Sequence, residues 1–99
     1  MRLSAQHADV IRAETQRVFG PDARVILFGS RTDDRVRGGD IDLLVQAAHE
    51  VAQPTLKTAR LWAALQLRLG EQKIDIVLEA PNLARQAIHR VALEEGVPL

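Results

Sequence analysis

The chain of 99 residues contains no cysteine. Disulfides and thiolate metal sites are therefore excluded, and the composition suits a reducing compartment such as the cytoplasm. Aromatic rings are scarce, with Phe19, Phe28 and Trp62 the only three. So few rings argue against a base-stacking platform for single-stranded nucleic acid. Neither sign of charge prevails, since 13 Lys and Arg balance 13 Asp and Glu. The positive excess of a stand-alone nucleic-acid binder is missing, and direct nucleic-acid binding is not expected. Arg31, Arg35 and Arg37 still cluster in one stretch, readable as a local basic patch or as a solvated loop. No apolar run approaches the roughly 20 residues of a membrane span. Residues 1–19 carry charges throughout, unlike a signal peptide. Neither a membrane anchor nor a leader is expected, and no internal repeat is visible.

What is present fits one globular domain over residues 1–99. The hydrophobic fraction of 46% is that of a folded protein, and a chain of this size supports a modest core. Leu3, Val10, Ile11 and Val18 recur with helical spacing, so residues 3–19 read as an amphipathic helix ended by Gly20-Pro21-Asp22. RVILF at 24–28 reads as a buried strand, 40–45 as a second and 73–78 as a third. Between the second and third strands, residues 54–69 read as a helix. Pro54 stands in its first turn, Leu61, Trp62, Leu65 and Leu69 form its stripe, and Gly70 follows its end. A last helix is expected from Pro81-Asn82, with Asn82 as N-cap and Ala84, Ala87, Ile88 and Val91 facing inward. The expected fold class is α+β, a small mixed β-sheet packed with helices in the order α-β-loop-β-α-β-α. Trp62 is expected in the core, and His7, His49 and His89 at surface or partly buried positions. Val51 and Leu56 suit either the core or an interface.

The most informative stretch is GSRTDDRVRGGDIDLLV at 29–45. Residues two apart on a strand point to the same face, so Asp40 and Asp42 project together, about 7 Å apart at Cα. Asp is depleted in strands, and two like charges side by side repel. A cation between them relieves that repulsion, and magnesium prefers hard oxygen ligands of this kind. Asp75 repeats the pattern between Ile74 and Ile76. If the third strand lies beside the second, three carboxylates meet, enough to hold two metal ions and to draw a proton from an incoming hydroxyl. Gly29 allows close backbone approach to a ligand. Ser30 offers a hydroxyl and backbone N–H groups, and Arg31 a guanidinium suited to phosphate. Asp33 and Asp34 read as caps or solvated charges.

This joint pattern resembles the nucleotidyltransferase superfamily typified by the DNA polymerase beta palm. It comprises an apolar run closed by Gly29-Ser30, nine intervening residues, Asp40-Ile41-Asp42, and a later Ile74-Asp75-Ile76. The length, and the closing EEGVPL, resemble its minimal branch, the MNT-type antitoxins of HEPN–MNT toxin–antitoxin modules. The resemblance implies a polymerase beta palm-like fold. It implies Gly29 and Ser30 as holders of the nucleotide triphosphate, and Asp40, Asp42 and Asp75 as the catalytic, magnesium-binding carboxylates. It further implies two Mg2+ ions and ATP as substrate. Members of that branch adenylylate a tyrosine of a HEPN ribonuclease, so a HEPN-type toxin is the implied partner in a hetero-oligomer. Two alternatives stand beside this reading: a non-catalytic antitoxin acting by contact, and a small-molecule nucleotidyltransferase of the antibiotic-modifying kind.

Overall fold

Ser4 opens the first helix, α1 (Ala5–Phe19), by accepting the His7 backbone N–H on its hydroxyl at 3.0 Å, which satisfies one donor that the first turn leaves unpaired. The computed structural model describes residues 3–32 and 39–99, and of Ser30 the backbone only. The expectations placed on Asp33, Asp34, Arg35 and Arg37 lie outside the described residues. Strand β1 (Arg24–Phe28) runs into a short 3-10 turn over Gly29–Thr32. Then follow β2 (Ile41–Gln46), α2 (Pro54–Leu69), β3 (Ile74–Glu79), α3 (Ala87–Glu95) and the two-residue β4 (Val97–Pro98). The four strands form one sheet in the order β3-β2-β1-β4. β1 pairs antiparallel with β2 and with β4, and β2 pairs parallel with β3. The small mixed α+β sheet read from the sequence is the fold observed.

The two faces of this sheet have separate occupants. Val25 and Leu27 of β1, Ile41, Leu43 and Val45 of β2, and Ile74 of β3 pack with Ile11 of α1 and with Leu61 and Leu65 of α2. Each fully buried leucine or isoleucine of this cluster contributes roughly 1.5–3 kcal/mol. Alternation sends the intervening residues to the other face, where Ile26, Phe28 and Leu44 meet Ala92 of α3, with Val77 beside them. α3 therefore covers only part of that face. Asp42 and Asp75 lie on the same face, beyond the helix.

α1 and α2 are tied together by a charge as well as by leucines. Glu14 is buried, and it accepts from Arg17 Nε at 2.8 Å and from Arg68 Nη1 at 3.0 Å. The Arg17 hydrogen bond, the largest influence, and the Arg68 contact hold its carboxyl below the usual range against the opposing effect of burial. Among the described residues, no helix is long and apolar enough to cross a membrane.

Several expectations need correction. The last helix begins at Ala87, with Gln86 as its N-cap, rather than after Asn82. Asn82 is engaged elsewhere: its side-chain amide accepts the Val51 N–H at 3.0 Å and donates to the Val51 carbonyl at 3.0 Å. That bidentate clamp holds the turn before α3 in a non-helical path, and Val51 itself is buried while Leu56 is exposed. The inward face of α3 is His89 and Ala92, while Ala84, Ala87, Ile88 and Val91 are exposed. The small Ala92 lets the helix lie close to the sheet, and Gly96 extends that approach, since a Cβ there would overlap Ile26 Cγ2 and the Ala92 carbonyl. Finally, Trp62 is 46% exposed rather than core. It sits one residue off the Leu61–Leu65 stripe and so turns toward the open edge of β3. There, with Ile76, Leu78 and Leu83, it lines an apolar groove of about 560 Å³.

His89, expected at a surface or partly buried position, is instead buried and acts as the polar rivet of this arrangement. Its Nδ1 accepts the Gln86 backbone N–H at 2.8 Å, and its Nε2 lies 3.0 Å from the Leu78 carbonyl. With Nδ1 accepting, Nε2 carries the proton and donates to Leu78, a carbonyl on the edge strand β3. Replacing His89 by alanine leaves a backbone donor and acceptor unpaired in a 4% exposed position. The expected loss is about 2–3 kcal/mol, to be read from the urea midpoint at unchanged m-value.

Candidate active site

The parallel pairing of β2 with β3 decides how the acids meet. Ile41 stands opposite Ile74 and Asp42 opposite Asp75. One step earlier, the Ile41 N–H donates to the Lys73 carbonyl at 3.0 Å, which sets Asp40 beside Lys73. The segments Asp40-Ile41-Asp42 and Lys73-Ile74-Asp75 therefore run side by side in step. Ile41 and Ile74 point into the core, and the four charged side chains share the opposite face. Asp40 precedes β2 rather than belonging to it, but the alternation extends through it. The start of β3 is pinned from α2: Gln66 donates to the Gln72 carbonyl at 2.7 Å and accepts the Gln72 N–H at 3.0 Å.

Gly29 is brought to the same place from β1. Phe28 stands opposite Asp42, so the residue after it turns over that carboxylate. Gly29 has φ +79°, and a Cβ on it would overlap Asp42 Oδ2, with Asp42 Cγ only 3.3 Å away. The dihedral favours glycine here, and any Cβ would displace the Asp42 carboxylate. The turn is closed by Thr32, whose hydroxyl donates to the Gly29 carbonyl at 2.7 Å. Arg31 lies on the same turn and donates from Nε to the Gly39 carbonyl at 3.4 Å, linking the turn to the segment that enters Asp40. The backbone of Ser30 lies between Gly29 and Arg31.

Electrostatics mark Asp42 as the strained member. Its carboxyl titrates above the usual carboxylate range, first because it is partly buried and then because the charges of Asp75 and Asp40 oppose its ionisation. A shared hydrogen bond with Asp75 acts in the same direction, and Lys73 acts against it. Asp75 is exposed, and Asp40 is ion-paired with Lys73, Nζ to Oδ2 3.3 Å. Among the described residues, no three His, Cys, Asp or Glu side chains are already drawn together as a ligand set. The strands bring the three acids to one face, but the side chains are split, with Asp40 turned to Lys73 and Asp42 to Asp75. Asp40 takes the nearest opposite charge, Lys73, while Asp42 and Asp75 share a hydrogen bond. The donor set consists of hard carboxylate oxygens around a half-buried acid whose ionisation is opposed, which fits a magnesium-type cation.

Lys73 is the member of this constellation that the aspartate pattern alone does not single out. The signal was available: Lys73 is two residues before Asp75, so it shares that residue's face, and KID at 73–75 mirrors DID at 40–42.

The sequence model of a nucleotidyltransferase domain matches residues 9–99, from the first helix through β4, and so spans the whole arrangement just described. No curated protein matches the chain closely enough to count as a relative.

Proposed function

We propose that this chain, which belongs to the nucleotidyltransferase domain family, transfers AMP from ATP to a tyrosine of a HEPN-type ribonuclease and thereby silences it in the cytoplasm. Nucleotidyl transfer in general follows from the family. The nucleotide, the acceptor and the partner are the proposed part. The observation that carries the reading is the facing pair Asp42 and Asp75 with Asp40 on the same face, roofed by Gly29.

In this reading Asp40, Asp42 and Asp75 would hold magnesium, which would supply charge neutralisation for the transfer. The chain's own residues do the rest. The Gly29-Ser30 turn, with no Cβ over Asp42, leaves room for the triphosphate beside the carboxylates, and Arg31 offers it a guanidinium. Asp75 is exposed on the edge strand, so it can accept the proton of an incoming phenol. The bond formed joins the phenolic oxygen to the α-phosphorus, the bond broken releases pyrophosphate, and the proton passes to Asp75. Docking of a protein acceptor is supported by α2. It carries Lys57, Arg60 and Arg68 and no acid, and it exposes Leu56, Trp62 and Leu67.

The test is co-expression with a HEPN-type partner followed by intact-mass and peptide mass spectrometry. One or more AMP additions on a partner tyrosine, absent with Asp42→Asn, are expected. A tight but unmodified complex would instead assign the chain to neutralisation by contact. Labelling of small aminoglycoside-like acceptors but of no protein would assign it to small-molecule transfer.

A further inference from the structure

The two strand segments place four charged side chains at the corners of a square. Asp42 and Asp75 face each other across the parallel pair, and Asp40 and Lys73 face each other one alternation earlier. Cα atoms at neighbouring corners stand about 5 Å apart across the strands and about 7 Å apart along them. Three corners are acids and one is a cation. Lys73 Nζ reaches Asp40 Oδ2 at 3.3 Å, and both side chains remain open to solvent, at 73% and 39% exposure. No packing contact requires a lysine at this position. Its amine is a point charge on a flexible stem, held at the mouth of an acid cluster whose members repel one another.

We propose that Lys73 is the resident counter-ion of this cluster: it neutralises Asp40 in the free protein and must leave Asp40 before a divalent cation takes that carboxylate. It thereby raises the divalent-ion concentration at which the site loads. The inference rests on the reading of the acids as a metal site, but its first half, the counter-ion role, stands independently of it.

The direction of each effect follows from Coulomb's law. Without divalent ion, the lysine is attractive to three carboxylates, and its loss exposes their repulsion. With divalent ion, the lysine repels the incoming charge and competes for Asp40, so its loss favours binding. The test uses the full chain with Lys73→Gln and, as the charge-retaining control, Lys73→Arg. Both exchanges fall on an exposed side chain and leave the core untouched. Isothermal titration calorimetry with Mn2+ alone, no nucleotide present, is expected to show K73Q binding about three- to tenfold more tightly than wild type, with K73R close to wild type. Thermal melting in metal-free, low-salt buffer is expected to place K73Q a few degrees below wild type. The gap should close at about 0.5 M salt, where a Debye length of only a few ångströms screens the cluster. Unchanged or weaker Mn2+ affinity in K73Q overturns the proposal, and so do equal melting temperatures in metal-free buffer. Should the wild-type chain take up no Mn2+ at millimolar concentration, the nucleotidyl-transfer reading fails. The metal-free melting comparison then decides the counter-ion role alone, a lower K73Q value supporting it and an equal value ending it.

Discussion

Asp42→Asn is expected to slow nucleotidyl transfer on the order of 10³-fold, about 4 kcal/mol of lost transition-state stabilisation, while making the metal-free protein melt higher at pH 7. The two effects have one cause. Asp42 is the acid whose ionisation its surroundings oppose, through burial and the charges of Asp75 and Asp40. Its pKa is raised in the folded state, so its protonated form favours folding. The associated stability is fully present below the ordinary aspartate value and is lost as pH rises through the raised one. At pH 7 the ionised carboxylate therefore strains the fold, and a neutral asparagine of the same shape relieves it. The rise in melting temperature is expected to be about 2–4 °C, modest because the group is only partly buried. It should vanish near pH 3, where both side chains are neutral. On the proposed metal-site reading, saturating divalent ion should reverse the order, because binding to the folded wild-type site would stabilise it by mass action. Scanning calorimetry at pH 3 and pH 7, with and without Mg2+, reads all of these comparisons. A variant that transfers nucleotide at the wild-type rate, or that melts lower than wild type in metal-free buffer at pH 7, contradicts the assignment. This is the familiar opposition between stability and function at sites that gather like charges.

Gly29→Ala is expected to be the second most damaging exchange, although it adds a single methyl group far from the core. At φ +79° an alanine is strained by about 1 kcal/mol. The larger consequence is local: the new Cβ would overlap Asp42 Oδ2 and push that carboxylate aside. A short aspartate side chain can escape only by rotating its carboxylate away from Asp75 and from the turn. Transfer should fall at least about 10²-fold, as a displacement of about 1 Å at a reacting centre suffices for such a loss. The protein should stay folded, with a melting temperature lower by about 4–8 °C. A double-mutant cycle separates the two contributions. In an Asp42→Ala background the carboxylate is gone, so Gly29→Ala should there cost only the backbone strain. Equal costs in both backgrounds would mean that the turn does not crowd Asp42, and a singly substituted enzyme within threefold of wild type would remove the turn from the site.

These two residues also show how far local sequence reaches. Gly29 and Asp42 were both singled out from spacing alone, as the end of one apolar run and the second acid of an alternating pair. What spacing did not contain was their contact. That contact comes from the antiparallel register of β1 with β2, in which Phe28 faces Asp42. The square of Asp40, Asp42, Lys73 and Asp75 likewise needs the parallel register of β2 with β3. Shifting β3 by one residue would turn Asp75 into the core. The buried isoleucines Ile41 and Ile74 make that shift prohibitive, so the core pattern enforces the site pattern.

The sequence by itself determined the elements whose signals are local and agree with one another. β1 and α2 have the expected boundaries, Arg24–Phe28 and Pro54–Leu69. α1, β2 and β3 lie within two residues of theirs, because apolar periodicity, Pro54, Gly20 and Gly70 all pointed the same way. It also determined which face each aspartate takes, since alternation on a strand is fixed by backbone geometry. Only the tertiary structure decided the rest. α3 offered two apolar stripes, and the sheet selected His89 and Ala92 over the bulkier Ile88 and Val91, because a small residue and a hydrogen-bonding ring fit against Ile26, Leu44 and the edge of β3. β4 exists because β1 had a free edge for Val97 and Pro98 to pair with, a fact no two-residue pattern contains. The partner of Asp40 was settled in the same way. A lysine 33 positions along the chain became its neighbour through strand pairing, and side-chain charge then chose the nearest opposite sign.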